Sequence, residues 1–133
     1  MLDQRDEDFV SKLFEFGDRM AKRLRGSSAH TVAAGVRGAS GRIYFGVNCD
    51  GIHGTCAELV AYANAVIAED AKVDVLMSIL IKGSGCGRII PPCGNCRQNF
   101  HSLAPTSSVI LNINGVIKKI PLAEMLPYPY NHF

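Results

Sequence analysis

Two short cysteine motifs, Cys56-Ala57-Glu58 and Pro92-Cys93-Gly94-Asn95-Cys96, constrain this chain more than any other feature. Each stands where loop composition gives way to a helical pattern, so each puts sulphur at a helix start. Unpaired backbone N–H groups carry partial positive charge there, which favours thiolate over thiol. A fold that brings the two starts together gathers three sulphurs and one carboxylate. Three protein ligands with the fourth position left to water make the open arrangement of a catalytic zinc site, and Glu58 would face that water. Taken alone, Cys93-x-x-Cys96 reads as a thioredoxin-like redox pair or half of a zinc knuckle as readily as a catalytic site. Thr55-x-x-Glu58 also reads as a capping box, in which Glu58 only bonds the start of its own helix.

The chain has 133 residues and five cysteines. An odd count, with no basic-then-apolar leader at the acidic N-terminus, argues against a disulfide framework and for reduced thiols in a cytoplasmic protein. Cys49 and Cys86 read as packing or loop residues, and His30, His53, His101 and His132 show no ligand spacing, so none of them is assigned to zinc. Fourteen basic and 12 acidic side chains leave a net charge of +2. That field is too weak to steer the chain onto a nucleic acid polymer. The most continuous apolar run, Val73 to Ile81, falls well short of the roughly 20 residues that cross a bilayer, so no membrane partner is expected.

One domain spanning residues 1–133 is expected. From Asp6 to about Leu24, apolar residues recur at Val10, Leu13, Gly17, Met20 and Leu24, the stripe of an amphipathic helix. Thr31 to Val36 and Ile43 to Val47 flank Gly38-Ala39-Ser40-Gly41 as a β-hairpin. Thr55 to Asp70 predicts a second, mostly buried helix, and β-branched Val73 to Ile81 a central strand bounded by Lys82-Gly83-Ser84-Gly85. A loop is expected from there through Pro91-Pro92. Gly94 to Leu103 predicts a helix, Ser108 to Ile113 a strand, Asn114-Gly115 a tight turn, Val116 to Ile120 a strand, and Pro121 to Leu126 a last short helix. This order implies a mixed sheet with helices on its faces.

The motifs resemble those of the small zinc-dependent cytidine deaminases, whose pattern is Cys-Ala-Glu followed by Pro-Cys-x-x-Cys. Gly41-Arg42-Ile43-Tyr44-Phe45-Gly46-Val47-Asn48, Pro92 to Gln98 and Glu124-Met125-Leu126-Pro127 fit the same family, so the resemblance covers about residues 28 to 127. It implies a three-layer α/β/α fold with a mixed five-stranded sheet. Cys56, Cys93 and Cys96 would then bind zinc, Glu58 would carry protons, and Arg97 would help from behind the ligands. Substrate-side residues would be Asn48, Asp50 and Ala57. The implied reaction turns the ring amine of a cytosine nucleoside into a carbonyl with release of ammonia. A homotetramer is implied as well, with a C-terminal tail that approaches the pocket.

Asn48-Cys49-Asp50 stands where such enzymes carry Asn-x-Glu, the loop to Cys56 is short, and Leu59 follows Glu58 where many have Arg. His30 occupies a position that is usually aromatic. The short loop, Asp50 and Leu59 resemble blasticidin S deaminases, so a nucleoside-like antibiotic or another amino-heterocycle is the alternative substrate. A non-catalytic zinc-binding module would need a fourth ligand, for which only Cys49 or Cys86 is on offer.

Overall fold

In the computed structural model the described residues are 1–82 and 85–131. Part of the turn expected at Lys82-Gly83-Ser84-Gly85 and the readings of His132 and Phe133 lie outside them, and of Cys86 only the backbone is described, so its packing lies outside as well. Helix α1 (Gln4–Arg23) starts in a capping box, with the Asp3 carboxylate accepting the Asp6 N–H and the Asp6 carboxylate accepting the Asp3 N–H. It buries Phe9, Leu13, Gly17 and Ala21. Of the expected stripe only Leu13 and Gly17 are fully buried, while Val10, Met20 and Leu24 are half-buried. The helix is rolled toward Phe9 because Gly35 of the sheet leaves room for that ring, which lies 3.2 Å from where a Cβ would stand.

Strands β1 (Val32–Gly38) and β2 (Ile43–Val47) form the expected hairpin, and α2 (Ala57–Ile67) follows. Next come β3 (Val73–Lys82), β4 (Gly85–Ile90), α3 (Gly94–Leu103), β5 (Ser108–Ile113), β6 (Val116–Pro121) and a 3₁₀ turn, Leu122–Met125. The sheet runs β2-β1-β3-β5-β6, with β4 also paired to β3. Among the described residues only β3 and β5 pair in parallel, through Val75 with Ser108 and Leu76 with Val109. Helix α1 covers one face over Val75, Met77, Ile79 and Ile110; α2 and α3 cover the other over Val36, Leu76 and Val109. This is the three-layer α/β/α arrangement expected.

Three expectations need correction. The sheet has six strands rather than five, because Gly85–Ile90, expected as loop, pairs antiparallel with β3. β5 meets β3 only at residues 75 and 76, which leaves the rest of that edge to Ile89 and Ile90. Glycine hid the strand from a propensity reading, yet Gly87 is needed there, since a Cβ would stand 2.9 Å from the Leu80 carbonyl. Helix α2 is shorter than expected and buries one face only, Ala57, Glu58, Ala61 and Ala65, leaving Val66 and Ile67 47% and 80% exposed. Finally, the closing helix is a 3₁₀ turn, with Pro121 ending β6.

The charge count conceals a buried cluster. Asp6 is fully buried under α1 and pairs with Arg37 of β1 at 3.0 Å and Lys119 of β6 at 2.8 Å. Arg37 also reaches Asp74 of β3 at 3.0 Å. Four elements are thereby tied across one face of the sheet.

Candidate active site

Cys56 is the N-cap of α2 and Cys93 the N-cap of α3, and Cys96 lies one turn into α3, fully buried. The backbone carbonyls of Cys56 and Cys93 accept the first helical bonds, from Val60 at 3.3 Å and Arg97 at 3.0 Å. Small residues let α2 sit close: a Cβ on Gly46 would fall 2.5 Å from the Ala61 nitrogen and 2.7 Å from the Ala57 oxygen. The two helix starts meet so that the Cys56 and Cys93 sulphurs are 3.5 Å apart and all three sulphurs lie within 4.8 Å of one another. Four-coordinate zinc with Zn–S bonds of about 2.3 Å needs sulphurs about 3.8 Å apart, so the donor set fits that ion in both spacing and softness.

Crowding the sulphurs together has an electrostatic cost. Burial pushes the Cys96 thiol far up, and the Glu58 charge adds to it. Cys56 is raised by burial and by the neighbouring Cys93 and Glu58, despite a bond from Cys96. Cys93 is lowered: burial opposes its thiolate, but the Cys96 N–H, the Cys56 side chain and the Asn95 N–H together outweigh that. Three anionic sulphurs beside a carboxylate are stable as neighbours only with a cation among them.

Glu58 is 4% exposed, at the second position of α2. Thr55 is not the N-cap and α2 has no side-chain cap, so the capping-box reading of Glu58 does not hold. Its carboxylate accepts no hydrogen bond among the described residues. It lines a cavity of about 430 Å³ together with Cys56, Cys93, Ala57, Asn48 and Asp50. The Asn48 side-chain oxygen accepts the N–H groups of Thr31 at 2.7 Å and Val32 at 2.9 Å, and its carbonyl meets His30 Nδ1 at 2.7 Å. Asp50 is exposed on a loop closed by paired backbone bonds between Cys49 and Thr55, each 2.9 Å. No Lys, Arg or His is among the described residues that line the cavity.

Arg97 does not line the cavity. Its Nε donates to the Pro92 carbonyl at 2.9 Å and another nitrogen to the Met125 carbonyl at 3.5 Å, so it braces the loop that bears Cys93. Cys49 is an exposed loop residue outside the sulphur group. The tail does not line this cavity up to residue 131: Gln98 brackets the Tyr130 backbone with bonds of 2.6 and 2.9 Å, and His101 Nε2 lies 2.8 Å from Asn131. The cavity wall at Ile90 belongs to β4, in a stretch whose sequence predicts loop, and nothing in the sequence signals the wall residue Ile52.

No protein-family model matches the chain. Among curated proteins, the blasticidin-S deaminase of Bacillus cereus is 27% identical over 126 residues, covering 90% of each chain. The cytidine deaminase of Halalkalibacterium halodurans is 32% identical over 74 residues, 54% of this chain and 53% of that protein, so this match spans about half of either. Among solved structures, the cytidine deaminase of Bacillus anthracis superposes with a TM-score of 0.71 at 22% identity, over 90% of this chain and 88% of that one. That of Mycobacterium tuberculosis gives 0.69 at 18% identity, over 92% and 98%. The chain thus has the cytidine deaminase fold and resembles, in sequence, the small cytidine and blasticidin-S deaminases.

Proposed function

We propose that this chain is a zinc-dependent hydrolytic deaminase that converts the ring amine of a small cytosine nucleoside, cytidine or deoxycytidine, to a carbonyl and releases ammonia. The observation that carries the reading is the meeting of three sulphurs, within 4.8 Å of one another, with buried Glu58 at a cavity of about 430 Å³. That volume suits a nucleoside-sized ligand. Cys56, Cys93 and Cys96 would hold the metal beside the cavity that Cys56 and Cys93 line. Zinc bound there supplies the Lewis acidity that makes water a nucleophile at neutral pH. Glu58 would take a proton from the attacking water, deliver it to the ring nitrogen and then move a proton to the departing ammonia. Its oxygens are uncommitted, which suits a shuttle. Ala57 offers backbone polar groups to the ring, and Asn48 and Asp50 face the ring's substituent.

A second reading, a nucleoside-like antibiotic such as blasticidin S, is favoured by the alignment with the Bacillus cereus protein over 90% of both chains. Ammonia release by the zinc-loaded protein, measured on cytidine, deoxycytidine, cytosine and blasticidin S, separates the two. Glu58→Gln should keep the metal and lose activity 10²- to 10⁴-fold. Absence of ammonia from every substrate, or turnover that survives Glu58→Gln, refutes the reading. Exposed Val66 and Ile67 on α2 support self-association as a homo-oligomer, a tetramer by resemblance, which sedimentation tests. Among the described residues no helix is long and apolar enough to cross a membrane.

A further inference from the structure

We propose that the Ser78 hydroxyl donates a hydrogen bond to the inner sulphur, that of Cys96, when the three-cysteine site holds its metal. The inference rests on the metal-site reading and goes beyond it by assigning a positioning residue on β3. Ser78 is fully buried, and its hydroxyl has no hydrogen-bond partner among the described residues. Alanine would fill the same place with no polar group to desolvate, so packing does not account for the hydroxyl.

The register states where it points. Ser78 stands opposite Ala34 of β1, which stands opposite Gly46 of β2. Residues directly opposite share a face of the sheet. The Gly46 position abuts Ala57 and Ala61 of α2, so the row Gly46, Ala34, Ser78 underlies the helix layer that carries the site. On its other side Ser78 pairs with Ile90, which lines the cavity and leads through Pro91-Pro92 to Cys93. Heights along the layer agree as well. Leu76, Phe100 and Cys96 belong to one buried cluster. One helical turn from Phe100 to Cys96 is about 6 Å, and two strand positions from Leu76 to Ser78 are about 6.6 Å; both lead toward the helix starts.

The donor has a task there. Three thiolates around a divalent cation leave an excess of negative charge that neighbouring donors must offset. The Cys93 sulphur faces backbone N–H groups of Asn95 and Cys96. The Cys96 sulphur is the most buried of the three and stands beside the charges of Glu58, Cys56 and Cys93, and the unpaired hydroxyl of the same layer supplies a donor to offset them.

Cobalt(II) titration of the full chain, read by sulphur-to-cobalt charge-transfer absorption and by chelator competition with zinc, tests this on wild type, Ser78→Ala and Ser78→Thr. Ser78→Ala should bind metal about 10-fold more weakly and move the band to lower energy, while Ser78→Thr keeps the wild-type band. Metal-free Ser78→Ala should melt no lower than metal-free wild type, because the lost hydroxyl has no partner there. Wild-type affinity and band in Ser78→Ala overturn the inference, as does a melting loss equal with and without metal, which marks a packing role. A wild-type chain that takes up no metal overturns the metal-site reading and this inference together; metal uptake indifferent to Ser78→Ala overturns the inference alone.

Discussion

Asp6→Asn removes one negative charge from the buried cluster under α1 and leaves the rest of the side chain in place. With the amide oxygen in the Oδ2 position it still accepts the Asp3 N–H, so the capping box survives, while the amide NH2 replaces the Oδ1 that accepted from Arg37; the charge and that one bond are tested together. Breaking a buried ion pair by removing one partner costs about 3–5 kcal/mol. Two features reduce that here: Arg37 keeps Asp74, and Lys119 is 28% exposed and can turn to water. The net cost should be about 2–4 kcal/mol. With unfolding entropy near 2.1 cal/mol/K per residue, 133 residues convert this to a fall in Tm of about 7–14 °C. Asp74→Asn, at a carboxylate 46% exposed, should cost about 1 kcal/mol or less. Thermal unfolding followed by circular dichroism at fixed metal concentration measures both. Equal losses for the two variants, or a loss under about 1 kcal/mol for Asp6→Asn, would refute the reasoning. The pH dependence supplies a second check. Burial opposes the Asp6 charge, but bonds from Lys119, the Asp3 N–H and Arg37 outweigh it and hold its pKa below the ordinary value. The unfolded chain therefore takes the proton first on acidification. Wild type's advantage over Asp6→Asn is complete at neutral pH and disappears as pH falls below about 4.

Cys96→Ser should cut bound zinc to well under one per chain by elemental analysis, since it removes the most buried of the three donors. In metal-stripped protein at pH 7, Cys93 should alkylate first and Cys96 last by peptide mass spectrometry, because Cys93 is the exposed thiol with the lowered pKa; labelling of Cys56 ahead of it would contradict the electrostatics. Asn48→Ala loses two bonds to the start of β1 and should cost about 1–2 kcal/mol of stability. In addition kcat/KM on the nucleoside should fall several-fold while that on cytosine changes little; equal losses would confine Asn48 to support of the loop. Cytidine 5′-monophosphate should be turned over at least about 10-fold less efficiently than cytidine, because Asp50 and Glu58 line the cavity and no cation does among the described residues.

The candidate site was legible in the sequence because it lies in short local patterns. Cysteine at a helix start, a carboxylate two positions on and a Pro-Cys-x-x-Cys each declare themselves within a few residues. Helices α1 and α3 and strands β1, β2, β3, β5 and β6 were legible for the same reason, since their periodicity is local. Other features depend on partners distant in the chain. β4 is a strand because β5 leaves an edge of β3 open, a fact of pairing that its glycines concealed. Helix α2 buries only its alanine face because one sheet covers one side of it, so apolar composition overstated its burial.

Sequence alone named the candidate groups for the proposed chemistry: three sulphurs, the Glu58 carboxylate, and the Asn48 and Asp50 side chains. Tertiary structure decided what each is free to do. It released Glu58 from capping by starting α2 at Cys56, and committed the Asn48 oxygen to the β1 backbone. It turned Arg97 to the Pro92 carbonyl instead of the cavity, and carried Asp6 from an acidic terminus into a buried ion cluster. Side-chain identity is written locally. The fate of a polar group depends on which donor, acceptor or charge the rest of the chain places beside it once water is excluded.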